Sequence, residues 1–217
     1  LRSLSVFDSA AWMNWPQSTY LAESKPYQLL AAIRCGFKVP KTLVGNDATM
    51  FQKELQGDLI IKSLDTVLLK EGNDCLFTYS TVFNSDSLKE ELVASVPLLA
   101  QDYIEKKIDV RVTVIGEEIY AVRILSEGIP IKGDWRIIPK ESLEYQNIEL
   151  PKEILEACQL LTKKLRLSFA AIDLLKDQDD YYFLEVNPTG EWGWLSNESR
   201  PIDLTIAKWL SEPKGMQ

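Results

Sequence analysis

A chain of 217 residues, 46% hydrophobic and 26% charged, has the balance of a globular protein and room for one large domain or two small ones. Lys plus Arg number 24 against 32 Asp plus Glu, a formal charge of −8, and generic nucleic-acid binding is a poor fit because neutralising phosphates needs surplus cations. No apolar run reaches the roughly 20 residues that span a bilayer, and the lack of histidine removes every Ser-His, Cys-His and His-metal mechanism from this chain.

Cys35, Cys75 and Cys158 are far apart and without metal-ligand spacing, which fits a reducing cytoplasm better than a disulfide framework. Leu1 is not an initiator Met and no secretory pattern follows, so the chain is expected to begin inside a longer protein. From Leu1 to Glu23 the sequence reads as irregular. Ser24 and Pro26 then open a helix that Gly36 ends, and Asn46 or Asp47 opens a second, Met50–Leu55, that stops at Gly57. Strands are expected at Leu59–Ser63, Thr66–Lys70 and Cys75–Thr81, and a short helix around Ser87–Ala94.

A second strand-rich unit follows. Asp109–Ile115 and Glu118–Leu125 flank Gly116 as a hairpin, Pro151–Leu165 has helical spacing, and Phe169–Leu175 and Tyr181–Val186 form another hairpin around a five-residue turn, Lys176–Asp180. Pro201–Leu210 closes as a helix. The order predicts an α+β fold of two lobes, residues 1–97 and 98–217, with a seam near Leu98–Glu105.

Alternation puts Phe183, Glu185 and Asn187 on one strand face and Tyr182, Leu184 and Val186 on the other. Folding Asp173 back across the turn sets it beside Glu185. Two carboxylates and an amide oxygen are hard donors that suit Mg2+, which keeps some waters and takes phosphate oxygens. The plainer reading, solvated strand positions, is weakened by the apolar neighbours Ile172 and Leu174.

In the first hairpin, Asp109, Arg111 and Thr113 share a face. A three-residue loop sets Arg111 opposite Arg123, where the two could clamp phosphate or carboxylate; a two-residue loop puts them on opposite faces. Both registers are open, as is a solvated face of Asp–Arg pairs. Lys62 is a cation in an apolar strand, read alone as a snorkelling edge residue. Gln101-Asp102-Tyr103-Ile104 follows an apolar strand at the seam, where extended backbone can meet a flat heterocycle. Asp134-Trp-Arg136 and Glu191-Trp-Gly-Trp194 are aromatic loops that anchor the fold or, alternatively, hold a peptide. No Gly-rich Rossmann or P-loop motif is present.

In this order the elements resemble the ATP-grasp ligases over Lys25 to about Leu210. The resemblance implies ATP between two α+β lobes. Lys25 and Lys62 match the phosphate lysines, Gln101–Ile104 the adenine hinge, and Asp109–Arg111 with Arg123 the D-x-R strand and following arginine. Asp173, Glu185 and Asn187 match the Mg2+ set. Lys25-Pro-Tyr-Gln-Leu-Leu30, Val39-Pro-Lys-Thr-Leu-Val-Gly-Asn46, Asp109–Gly116, Gly133-Asp-Trp-Arg136 and Asn187-Pro-Thr-Gly-Glu-Trp192 are similar to the microviridin-type, or graspetide, peptide ligases. One departure from the wider superfamily is that Ser63–Leu69 has no glycine for a phosphate-covering flap.

The chemistry implied is phosphorylation of a side-chain carboxylate by ATP and displacement by a hydroxyl or amine, closing ester or amide rings in a ribosomally made precursor peptide. Arg111, Arg123 and Arg136 are the candidates for the substrate carboxylate and acyl phosphate. A homodimer is a further expectation. The alternatives are an amino-acid ligase of the glutamate-adding or glutathione-synthetase kind, and an ATP-binding regulator with little catalysis.

Overall fold

The computed structural model describes residues 2–7, 10–64, 68–71, 74–77 and 80–212, with 68–71 and 74–77 as backbone alone. The chain opens with a 3-10 turn at Arg2–Val6, then α1 (Pro16–Ala22) and α2 (Lys25–Arg34). The first lobe's elements follow as β1 (Thr42–Gly45), α3 (Ala48–Glu54), β2 (Asp58–Ser63), β3 (Leu68–Glu71), β4 (Asp74–Phe77), β5 (Thr81–Asn84), α4 (Glu90–Val93) and β6 (Leu98–Asp102). The second sheet comprises β7 (Ile108–Ile115), β8 (Glu118–Ser126), β9 (Ile129–Pro130), β10 (Leu143–Asn147), β11 (Phe169–Asp177) and β12 (Asp180–Asn187). Between β10 and β11 lies α5 (Lys152–Lys164), and α6 (Ile202–Ser211) closes the described chain.

Helix α2 starts where expected. Proline occupies its first turn, and Ser24 stands at the N-cap, although its hydroxyl makes no capping bond. Gly36, at φ +94°, adopts the left-handed conformation that ends it. Asp47 caps α3 by accepting from the Met50 N–H. Helix α5 buries Ala157, Cys158, Leu161 and Thr162 on one stripe and carries Lys163 and Lys164 in its last turn, where cations suit the helix dipole.

Two sheets result. The smaller runs β1-β6-β2-β5, antiparallel throughout, and packs Leu59 and Ala100 on Phe51 and Leu55 of α3. The larger runs β10-β8-β7-β11-β12, with β9 beside β8. Its inner face sets Val110, Val112, Val114, Ile172, Phe183 and Val186 against Leu29 and Ala32 of α2 and Cys158, Leu161 and Leu165 near α5. The opposite face carries Asp109, Arg111 and Asp173.

Several expectations need correction. Residues 1–23 hold a helix, α1, which begins at Pro16 and buries Ala22. Of the two registers open for the first hairpin the structure has the two-residue turn, Ile115 pairing with Glu118, while the second turns on two residues and not five, Asp177 pairing with Asp180 across Gln178, which adopts φ +51°. The region around Ser87–Ala94 is a 3-10 turn at Ser85–Ser87 followed by the short α4. The expected strand Cys75–Thr81 is two strands, β4 and β5, while 78 and 79 lie outside the described residues, as do 66 and 67 of the expected strand Thr66–Lys70.

The division at 97/98 also moves. Strand β6 is an inner strand of the first sheet, so the sheets part after Asp102, while α2 packs on β12 of the second sheet.

The face assignment of Phe183 is corrected as well. The register slips between Asp173 and Leu174, pairing Asp173 with Glu185 but Leu174 with Phe183, so Leu184 is the extra residue of a β-bulge. Phe183 therefore turns into the core, fully buried, while Glu185 faces the cleft.

Candidate active site

Strand β11 lies between β7 and β12, and one row across the three holds Arg111, Asp173 and Glu185 as direct neighbours. Arg111 Nη1 donates to both Asp173 carboxylate oxygens, at 2.7 and 2.8 Å, with both side chains nearly buried. The guanidinium sits 6.0 Å from the Trp194 ring centre, and Nη2 donates to the Glu191 carbonyl at 3.4 Å. Its Nε is buried without a hydrogen-bond partner among the described residues. Asn187 Nδ2 donates to Asp173 Oδ2 and Glu185 Oε1, each at 3.3 Å, so the three expected metal ligands do converge.

Other charges gather on this row. Arg136, on the 3-10 turn Trp135–Ile137, donates from Nη1 to Glu185 Oε1 at 3.1 Å. Asp134 caps that turn. It accepts from the Arg136 N–H at 3.0 Å, from Nε at 2.9 Å and from Nη2 at 3.0 Å, and also from the Ser80 N–H of the first lobe at 3.2 Å. Lys107 pairs with Asp109 and donates to the Gly133 carbonyl at 2.8 Å.

The electrostatics follow from burial and these partners. Burial pushes the Asp173 carboxyl up, and Glu185 beside it adds to the rise, outweighing Arg111. Burial works on Glu185 in the same sense, but the charges of Arg136 and Lys62 prevail and hold it down at about 2. Burial pushes Lys62 below its ordinary value against the pull of Glu185. It raises Asp109 to about 6, despite Lys107. For Asp134, burial is overcome by the Arg136 hydrogen bonds and charge, which hold the carboxyl down.

A cleft between the sheets is lined by Lys62, Gln101–Ile104, Asp109, Arg136, Asp173 and Glu185, so the structure brings these expected residues together. Gln101 is buried, donating to Thr42 Oγ1 at 2.8 Å and accepting from Lys62 at 3.4 Å. The N–H groups of Asp102 and Tyr103 already donate to Lys41 and Asp58 carbonyls, at 2.9 and 3.1 Å. A base edge therefore cannot use them, contrary to a reading in which the whole segment's backbone is free. A second cavity adjoins the first through Trp135, Arg136 and Asp173, and continues past Arg111, Asn187 and Gly190 to Trp194.

Two expected residues line neither cavity, although the charge of Lys25 still acts on Glu185. Lys25, at the start of α2, donates to the Leu64 carbonyl at 3.1 Å. Arg123 is corrected: the two-residue turn pairs Val110 with Arg123, so its side chain leaves from the face opposite Arg111 and binds Gln146 Oε1 in the open, at 2.9 and 2.7 Å. Sequence reasoning passed over Lys107 and Ser80, and noted Asp134 only within its aromatic loop, without the role of anchoring Arg136. Asp134 had a signal, since an Asp two residues before an Arg in a loop is a ready turn cap; the Ser80 contact crosses 54 residues and had none.

Two carboxylates and an amide that meet within hydrogen-bond reach, Asp173 buried and Glu185 and Asn187 half-buried, with cations around them, fit a hard divalent cation. Among the described residues there is no cluster of three acidic, His or Cys side chains, so such a site needs further oxygens from whatever the cleft binds. Sheets, cleft and donor set together are those of an ATP-grasp protein. Residues 24–210 match the RimK-like ATP-grasp domain, and the chain belongs to that family, as the sequence resemblance implied.

No curated protein sequence matches the chain. Among solved structures it is similar to the Chryseobacterium gregarium RiPP-associated ATP-grasp ligase, in complex with ADP and a leader and core peptide. The TM-score is 0.83 and the identity 29%, over 95% of this chain and 65% of that one. The macrocyclase MdnC of Microcystis aeruginosa MRC, bound with precursor peptide MdnA, shares the fold at TM-score 0.77 and 24% identity, over 97% and 70%. So does D-alanine–D-alanine ligase from Bacillus anthracis, at TM-score 0.61 and 16% identity over 90% and 68%. This chain thus spans about two thirds of the ligase structures it matches.

Proposed function

We propose that the chain is the ATP-grasp portion of a graspetide-type peptide ligase in the cytoplasm, which joins side chains within a ribosomally made peptide. The observation that carries it is the single row Arg111–Asp173–Glu185, which forms the boundary between the cleft and a second cavity. A donor and an acceptor bound in the two spaces would meet over that row. The Chryseobacterium ligase, at 29% identity, carries ADP and peptide together.

In this reading Lys62 and Lys25 bind phosphates, Gln101–Ile104 and Leu184 contact the base, and Asp173, Glu185 and Asn187 hold Mg2+. A half-turn of the Asn187 amide presents Oδ1 in place of Nδ2. Bound Mg·ATP would supply the phosphoryl group that turns a carboxylate into an acyl phosphate, releasing ADP, and a hydroxyl or amine attacking the acyl carbon would then expel phosphate. The protein's part is to place reactants and meet their charge. Arg111, fixed by Asp173 and Trp194, and Arg136, fixed by Asp134, both face the second cavity, where a substrate carboxylate would lie. No enzyme nucleophile is required, so a chain without histidine is sufficient.

The test is mass spectrometry of the full-length enzyme with ATP, Mg2+ and a short Thr/Ser- and Asp/Glu-rich precursor peptide, sought first in the reading frames adjoining its gene. Each ring formed should lower the peptide mass by roughly 18 Da, the water lost in condensation, with one ADP released. A mass gain equal to an added amino acid favours the amino-acid ligase instead.

A further inference from the structure

Arg111 and Arg136 both pair with carboxylates of the row, but they are held differently. Arg111 is buried, meets both oxygens of Asp173 and lies against Trp194. Arg136 keeps 39% of its side chain exposed, sits on an irregular turn and reaches Glu185 through one Nη1 contact of 3.1 Å. Its other contacts go to Asp134, whose carboxylate is only 3% exposed and is itself tied to Ser80 of the first lobe. Breaking the Glu185 contact therefore leaves Arg136 anchored, with Nη1 released.

We propose that Arg136 is a displaceable counter-ion, occupying Glu185 until a divalent cation takes its place, with Asp134 as the positioning residue that retains the released guanidinium beside the row. The inference rests on the metal-site reading above. Glu185 is half-buried, its side chain 14% exposed, beside Asp173, whose own partner is Arg111; two adjacent carboxylates repel, so Glu185 gains from a cation of its own. Lys62 and Lys25 contribute charge without a hydrogen bond and Asn187 is neutral, so Arg136 is the cation in direct contact with Glu185. Cation and Arg136 then compete for the same Oε1. A released Arg136 remains at the mouth of the second cavity, where the reacting carboxylate would arrive.

The competition is measurable without turnover, by Mn2+ titration of the whole protein followed by electron paramagnetic resonance, with and without ADP. Arg136→Gln removes the competitor and should tighten Mn2+ binding about tenfold in the absence of nucleotide, the scale of one charge-assisted contact. Arg136→Lys keeps a cation and should stay within about threefold of wild type, the spread of such contacts. Asp134→Asn, which loosens the anchor and frees Arg136 to favour Glu185, should not tighten binding. Equal affinity in wild type and Arg136→Gln, or tightening by Arg136→Lys as well, overturns the counter-ion inference. Glu185→Gln with ADP separates the two levels: if it binds Mn2+ as wild type does, the metal-site reading itself falls. Urea midpoints of each variant confirm that the comparison is between folded proteins.

Discussion

At Gly190 the backbone passes so close to strand β11 that a Cβ would lie 2.5 Å from the Ala171 Cβ and 3.4 Å from Arg111 Nη2. Gly190→Ala should therefore destabilise the fold by about 1–3 kcal/mol through overpacking and displace the Arg111–Trp194 contact. The double variant Gly190→Ala/Ala171→Gly should recover part of that loss in urea unfolding, whereas a neutral Gly190→Ala would show that the close approach does not exist. Asp109 gives a pH signature. Folding raises it from 3.8 to about 6, chiefly by burial, so its contribution to stability is complete below pH 3.8 and is lost as pH rises through 6. Asp109→Asn lacks this dependence. Relative to wild type, the variant should gain on the order of 3 kcal/mol between pH 3 and pH 7. Denaturant titrations across that range read the slope, and parallel curves would count against it.

At the scale of elements, the bulge at Leu184 decides what faces the site. Phe183→Ala should cost about 3–5 kcal/mol as a core cavity, while Leu184→Ala, half-buried on the cleft, should cost less stability and weaken nucleotide binding instead. Strict alternation predicts the opposite for Phe183, and the reason it fails is local: one additional residue reverses the facing of every residue on the far side of it. The closeness of Asp173 and Glu185 was legible only as a neighbourhood: a short polar turn between two apolar strands makes them antiparallel neighbours, but its register alone sets Asp173 opposite Leu184, and the bulge brings Glu185 into the row. Arg123 was not legible. Its facing hung on a loop of two residues or three, and Gly116 is compatible with both. Strands of four residues such as β1 and β5, without alternation of their own, were found through the sheet partners they meet and not through their sequence.

Across the whole molecule, the segment that reads as irregular is the one that ties the chain together. Asn14 accepts from the Ser168 and Phe169 N–H groups at 2.6 and 2.8 Å and donates to the Phe169 and Pro188 carbonyls at 2.7 and 2.8 Å. Gln28, buried on α2, spans the Val186 N–H and carbonyl at 3.0 and 2.8 Å. Both clip residues before the first sheet onto the second, next to Asn187. Such long-range side-chain bonds leave no periodic trace, which is why lobe boundaries drawn from element order missed them. Asn14→Ala should cost about 2–4 kcal/mol by stranding buried backbone groups, read as a lower urea midpoint, and a loss under 0.5 kcal/mol would show that the clip is not made. The Lys62→Ala variant should weaken ATP binding about tenfold, the loss of one charge-assisted contact, with the fold retained, and calorimetry reads it directly.

The sharpest measurement is the Mg2+ dependence of nucleotide affinity in wild type and in Glu185→Gln, by calorimetric titration with a non-hydrolysable ATP analogue. If Asp173, Glu185 and Asn187 carry the metal of the bound nucleotide, Mg2+ should tighten wild-type binding at least tenfold and tighten the variant far less, with unfolding midpoints unchanged by more than a small margin. Equal Mg2+ enhancement in the two proteins would contradict it and remove the row from the nucleotide's metal site.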